Sequence, residues 1–163
     1  MNKRYEFFCG GPFSQWHQCN FTIRDIPFIS MKQYTMYEKA MLFDDHETAQ
    51  LILQASDPKI QKALGRKIKN FDIGHWNNNA SQIVFRGSNG KYTQNKRLYD
   101  MLINTYPAQL VEATPYDSLW GIGIDEKTAL RTPDYQWPGK NWLGIILTDL
   151  RDFLMEEETY DEN

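Results

Sequence analysis

An α+β fold, a predominantly helical single domain with a small β-sheet of the kind detailed below, is predicted for this chain on three observations. Short aromatic and β-branched runs cluster near its start, apolar stripes at helical spacing follow capping residues through most of the remainder, and 163 residues make one domain's worth of sequence. That domain is expected to span residues 1–155, ahead of an acidic tail at 156–163.

Residues 5–9 and 20–24 read as strands, and Asp25-Ile26-Pro27 as a turn into a third at Phe28 and Ile29, together making one small N-terminal sheet. Gly10-Gly11-Pro12 between the first two is a sharp turn, or a point where backbone approaches a ligand. Ser30 followed by Gln33 has the capping-box pattern, and Tyr34, Tyr37 and Met41 then recur with helical period. Asp44 with Glu47 repeats that pattern before Ala49, Ile52 and Leu53, and Asp57-Pro58 opens a third helix that Gly65 closes.

Trp76, Ala80, Ile83 and Val84 form the next stripe, which is expected to give way to a loop at 87–95 before a short helix carrying Leu98 and Leu102. Residues 110–113 and 119–122 look like strands joined by a Pro115-Tyr116-Asp117 turn. The polar stretch 125–140, with Pro133, Pro138 and Gly139, reads as a surface loop, and Leu143, Ile146, Leu147, Leu150 and Leu154 mark a last amphipathic helix.

Composition narrows the function. Eighteen Lys and Arg against 21 Asp and Glu leave a formal charge of −3, without the basic excess of a dedicated duplex-binding module, so any nucleic-acid contact must be local. No run approaches the roughly 18 apolar residues of a membrane span. No apolar stretch of signal-peptide length follows Lys3 and Arg4, so a cytoplasmic location is expected, with Cys9 and Cys19 reduced and serving as small buried residues.

Three chemistries lack their motifs. His17, His46 and His75 are isolated from partners at metal-ligand spacing, and no metal or cofactor is expected. Gly87-Ser88-Asn89-Gly90-Lys91 lacks the spacing and terminus of a P-loop, and no Ser lies in a nucleophile elbow. What stands out is 14% aromatic content, with Trp beside amides, carboxylates and glycines in Phe13-Ser14-Gln15-Trp16, His75-Trp76-Asn77, Asp117-Ser118-Leu119-Trp120-Gly121 and Lys140-Asn141-Trp142. Flat rings next to polar groups suit planar heterocycles.

Seven blocks in order resemble the YbiA-like NADAR family: Gly11-Pro12-Phe13-Ser14-Gln15-Trp16, Tyr37-Glu38-Lys39-Ala40, Ala63-Leu64-Gly65-Arg66, Lys91-Tyr92-Thr93-Gln94-Asn95, the run from Leu110 through Glu112 to Asp117, Trp120-Gly121-Ile122-Gly123, and Asn141-Trp142-Leu143-Gly144. The resemblance covers nearly the whole chain. It implies a compact mixed domain that hydrolyses an N-glycosidic bond, either in a ribosylamino-pyrimidine intermediate of riboflavin biosynthesis or between ADP-ribose and guanine. The expected partner is a small nucleotide or ADP-ribose-type ligand, or an ADP-ribosylated nucleic acid.

By the same resemblance Lys39 matches the family's helix lysine, Trp76 its mid-chain tryptophan and Asp117 the acid before Trp-Gly. One position departs: Lys32 stands where the family usually has Glu, seven residues before the lysine. The catalytic expectations are thus Asp117, Lys39 and Lys32, and the substrate-binding ones Trp76, Trp120, Ser14, Gln15, Gly121 and Asn141. Asp117 can stabilise charge on a ribose or cap a turn. Lys39 can act as acid, nucleophile or anion contact, with Lys32 as a second ammonium on the same pocket or as a solvated side chain. Trp76 and Trp120 can stack a base or pack the core, and Asn141 can cap the last helix. Reversal of charge at Lys32 also raises the alternative of a catalytically attenuated module that binds ADP-ribose or a nucleotide.

Overall fold

The computed structural model describes residues 4–161. They divide into two compact units, one of residues 15–96 and the other of 4–14 with 97–161. The fold is α+β, helix predominating over short strands, as the sequence predicts.

In the 15–96 unit, β2 (Gln18–Ile23) and β3 (Ile26–Ser30) form an antiparallel hairpin that pairs Phe21 with Phe28 and Ile23 with Ile26, with a bulge between Gln18 and Phe21. The turn is Arg24-Asp25, both at positive φ, which matches the twist of a two-residue hairpin. Four helices follow: α1 (Met31–Leu42), α2 (His46–Gln54), α3 (Pro58–Gly65) and α4 (Ile73–Thr93). Ser30 caps α1 by accepting from the Gln33 N–H at 3.1 Å, while the Gln33 side chain accepts from the Ile29 N–H at 2.9 Å. The cap of α2 is Asp45 rather than Asp44, because Asp44 turns to positive φ and leaves Asp45 to receive the N–H groups of Thr48 and Lys69.

Most of the expected loop at 87–95 is helix, since α4 runs on to Thr93 and only Gln94 and Asn95 lie between it and the next helix. Gly87 and Gly90 break no hydrogen bonds there; they clear space. A Cβ at Gly87 would run into the Tyr34 ring, and one at Gly90 would meet Ile23 Cδ1 at 2.5 Å. Phe21, Phe28 and Tyr34 pack ring against ring beneath the hairpin, with centroids 5.2–6.1 Å apart, and all three are buried.

The other unit contains β1 (Tyr5–Phe8), most of α5 (Lys96–Ile103), β4 (Gln109–Glu112), α6 (Glu126–Ala129) and α7 (Trp142–Asp161). The single N-terminal sheet expected from sequence is replaced by two pairs: β1 lies parallel to β4, Tyr5 opposite Gln109 through Phe8 opposite Glu112, and only β2 joins β3. Residues 119–122 are not a strand. Their backbone is taken up locally instead, Ile122 N–H by the Glu112 carbonyl and the Ile122 and Gly121 carbonyls by the N–H groups of Gly139 and Asn141. The stretch 125–140 folds partly, into α6 and a 3-10 turn at Asp134–Gln136.

Val111, Ala113, Ile122 and Ala129 form a core here, against which Tyr5, Phe7 and Trp137 pack. Helix α7 seats on β4, Thr148 accepting from the Leu110 N–H at 3.0 Å, and it carries Glu156, Glu157 and Glu158 in its last turns. Cys9 is exposed and Cys19 half-buried, so neither is the fully buried residue expected; both are free thiols.

Candidate functional site

The family-matched lysine lies in the last turn of α1. Its Nζ donates to the Gly65 carbonyl at 3.1 Å, at the end of α3, and stands 4.3 Å from the Phe71 ring centroid and 5.7 Å from that of Trp76. Phe71 in turn packs edge-on to Phe43, and Phe43 on His75. Burial, reinforced by the neighbouring Arg66 charge, lowers the Lys39 pKa from its ordinary value, so a neutral amine is more accessible than in water. The two rings and the carbonyl orient an ammonium that water only partly solvates.

Trp76 serves this lysine more than it offers an open platform. It is 6% exposed, on the buried stripe of α4 with Ala80, Ile83 and Val84. The core reading of its ring and the functional one therefore coincide: the indole is packed, and one cation sits on it.

Lys32 meets a different ring from Lys39. Although it and Lys39 are two turns apart on α1, the Lys32 ammonium lies 5.2 Å over Trp16, and that of Lys62 on α3 lies 5.4 Å from the same ring. The residue before Trp16 is Gln15, whose carbonyl accepts from the Lys32 N–H at 2.8 Å. The two lysines thus serve different aromatic groups: Lys39 has Phe71 and Trp76, Lys32 has Trp16.

In the other unit, Asp117 closes a tight turn. Its Oδ1 accepts from the N–H groups of Leu119 and Trp120, both at 2.9 Å, and its carbonyl receives Gly123 N–H. The capping and charge-stabilising readings both survive, because one oxygen holds the turn and the half-buried carboxylate keeps a second. Trp120 packs edge-to-face on Trp142 at 5.5 Å. Gly121 is buried, and a Cβ there would lie 2.7 Å from Thr114 Cγ2 and 2.9 Å from the Asp117 and Glu112 carbonyl oxygens, so only glycine fits this turn. Ser14 is buried, its N–H bonded to the Gly11 carbonyl at 3.0 Å.

The Asn141 side chain, just before α7, bonds to the backbone of β4. Its Oδ1 accepts from Glu112 N–H at 2.9 Å and its Nδ2 donates to the Leu110 carbonyl at 3.0 Å, so the amide ties the start of α7 to β4. The amide oxygen and nitrogen each hold one backbone group, so the side chain acts as a clasp between the two elements.

Sequence reasoning missed Phe71, the Gly65 carbonyl, and Trp16 and Lys62 as partners of the lysines. Trp16 was visible in the Phe13-Ser14-Gln15-Trp16 block; the others carried no local signal, since a carbonyl and a loop phenylalanine look the same everywhere.

The NADAR domain model matches residues 7–155. The chain belongs to the NADAR domain family. Its relatives include N-glycosidase R617 of Acanthamoeba polyphaga mimivirus, 37% identical over 145 residues that make up 86% of this chain and 85% of that one. N-glycosidase YbiA of Escherichia coli (strain K12) is 30% identical over 122 residues, 75% of this chain and 69% of that protein. Protein irg-1 of Caenorhabditis elegans is 33% identical over 140 residues, 85% of this chain and 66% of its own length. The NMR structure of the E. coli protein YbiA superposes with a TM-score of 0.80 at 25% identity, covering 98% of this chain and 89% of that one. Relatives in this NADAR family are thus named for cleaving N-glycosidic bonds.

Proposed function

We propose that this NADAR chain is itself an N-glycosidase, hydrolysing the bond between a ribose C1′ and the nitrogen of a nucleobase or ribosylamino-pyrimidine. Cleaving that bond builds positive charge on the sugar while the departing nitrogen gains electrons, so the reaction calls for a proton donor and an anion. The observation that carries the reading is Lys39: a half-buried ammonium held by one carbonyl and two rings, its pKa lowered from the ordinary lysine value.

Lys39 Nζ gives its proton to the leaving nitrogen as the C1′–N bond breaks, water adds to C1′ and returns a proton to the Lys39 amine, and the products are the free base and the sugar with a hydroxyl at C1′. In the other unit, the Asp117 carboxylate keeps an oxygen that its turn does not use, a group of the kind that stabilises a cationic sugar or orients water. Trp120 and Gly121 belong to the Asp117 turn and shape what that carboxylate meets. The substrates favoured by the family likeness are an ADP-ribosylated guanine, free or in nucleic acid, and a ribosylamino-pyrimidine intermediate of riboflavin biosynthesis.

A second reading rests on Lys32. With a cation where the family usually carries Glu, the chain is instead a binding module for an ADP-ribose-type ligand with attenuated turnover. The deciding experiment offers both substrates side by side and identifies products by mass spectrometry, checking the intact protein for a covalent sugar adduct. Released base from either substrate supports the glycosidase; tight binding with no product, together with activity gained on Lys32→Glu, supports the binding module. An adduct on Lys39 would replace the proton-donor role by attack of its neutral amine at C1′.

A further inference from the structure

Phe71 is a large apolar side chain left 42% exposed, and the backbone on either side of it is pinned. The Lys69 N–H donates to Asp45 Oδ2 at 3.0 Å, Asn70 turns to positive φ, and Asp72 caps α4 by accepting from the His75 N–H at 2.7 Å. A lone surface phenylalanine needs no explanation, but this one is held beside the half-buried ammonium of Lys39. Phe43 packs edge-on against it at 5.3 Å, which stiffens the ring and still leaves that exposed fraction open. All of these residues belong to the 15–96 unit.

The ammonium fixes where a reacting group can lie. Nζ carries three N–H donors, and among the described residues only the Gly65 carbonyl accepts one, at 3.1 Å. Of the two rings beside it, Trp76 is 6% exposed and closes one flank, so a ligand reaches Nζ past Phe71. A nitrogen that takes a proton from Nζ must come within about 2.6–3.2 Å of it. With Nζ 4.3 Å from the Phe71 centroid, that nitrogen stands no farther than about 7.5 Å from the same point. Aromatic rings attract one another at centroid separations of about 4.5–7 Å, so a flat heterocycle bearing the nitrogen comes against Phe71.

We infer that Phe71 is the platform for the leaving heterocycle, which rests on the exposed part of the ring while Lys39 protonates its nitrogen. The ligand class is a planar aromatic nitrogen heterocycle joined to a sugar; an N-glycoside whose departing group is not flat gains nothing from this contact. That the heterocycle then departs rests on the glycosidase reading, whereas the contact itself follows from where the ring and the ammonium stand.

The test titrates guanosine, adenosine, cytidine and, as a control without a base, methyl β-D-ribofuranoside into the parent, Phe71→Leu and Phe71→Tyr, read by saturation-transfer NMR with melting temperatures checked. Leucine keeps an apolar contact for Phe43 and removes the flat ring; tyrosine keeps the ring. Should Phe71→Leu melt below the parent, Phe71→Met takes its place. The nucleosides should bind the parent at millimolar concentration or below, bind Phe71→Leu about tenfold more weakly and bind Phe71→Tyr as they bind the parent, while the riboside shows no such dependence. With whichever substrate turns over, Phe71→Leu should raise KM about tenfold and leave kcat and its pH profile nearly unchanged, because the contact is present in ground state and transition state alike. Nucleosides that ignore the parent, or that bind Phe71→Leu equally well, overturn the platform, as does a variant that alters only kcat and its pH profile. Turnover with the parent's KM in Phe71→Leu sinks this inference and leaves the glycosidase standing; Phe71-dependent nucleoside binding without turnover of either substrate does the reverse.

Discussion

Gly87→Ala sets two opposed effects against each other inside α4. An alanine in a helix interior is favoured over glycine by about 1 kcal/mol, so on propensity alone the variant should be more stable. At this position the new methyl would lie closer to Tyr34 Cε1 and Cδ1 than any real Cβ contact and 3.0 Å from Met31 Cε. Tyr34 cannot swing aside, because its ring is fully buried with Phe28 at 5.2 Å and Phe21 at 6.1 Å. Overpacking of that kind costs typically ~1–3 kcal/mol and more when the neighbour is rigid, so the clash wins. With melting temperature moving roughly 2–4 °C per kcal/mol for a chain of this size, Gly87→Ala should melt several degrees below the parent. Gly74→Ala is the control. It lies in the first turn of the same helix, where the nearest atom to a Cβ is Asp72 Oδ1 at 3.4 Å, and should be neutral or stabilising by up to about 1 kcal/mol. Calorimetric melts of the two variants decide the matter: a Gly87→Ala protein as stable as Gly74→Ala would mean that α4 does not press on Tyr34 there.

Lys39→Met keeps the aliphatic stem and removes the ammonium, and turnover should fall about 10²–10⁴-fold if the residue is the acid. Because burial and Arg66 hold its folded-state pKa below the ordinary 10.5, the charged form is less favourable in the folded chain; the parent's stability relative to the variant should be lowest at neutral pH and rise toward 10.5, and a flat difference in melting temperature would contradict this. Lys91 is a stronger case, 1% exposed with its pKa lowered by burial to about 8. Measured against Lys91→Met by urea denaturation, the parent should gain about 3 kcal/mol between pH 8 and 10.5, and a gain under 1 kcal/mol would argue that the ammonium is solvated. Asp117→Asn retains the Oδ1 acceptor for Leu119 and Trp120 and removes only the charge, so turnover should vanish with ligand affinity within tenfold of the parent; an unchanged rate removes Asp117 from the mechanism.

The sequence by itself determined what depends on neighbours a few residues away. Ser30 with Gln33, and Asp57 with Pro58, start helices where they were expected, because a cap needs only the next two or three N–H groups. Lys39 and Asp117 were reached through family blocks, and Trp76 through its helical stripe and its match to the family's tryptophan, since ordered motifs persist even when their contacts are invisible. Tertiary structure decided the rest, for reasons of distance along the chain. Gly87 and Gly90 look like loop residues on propensity, yet the missing side chains are what let α4 lie against Tyr34 and Ile23. Residues 119–122 have strand character but no strand to pair with, and β1 finds its partner in β4 more than a hundred residues later. Which ring each lysine meets is likewise a property of packing: a spacing of two helical turns places Lys32 and Lys39 on a common side, and only the positions of Trp16, Phe71 and Gly65 send their ammoniums to different groups.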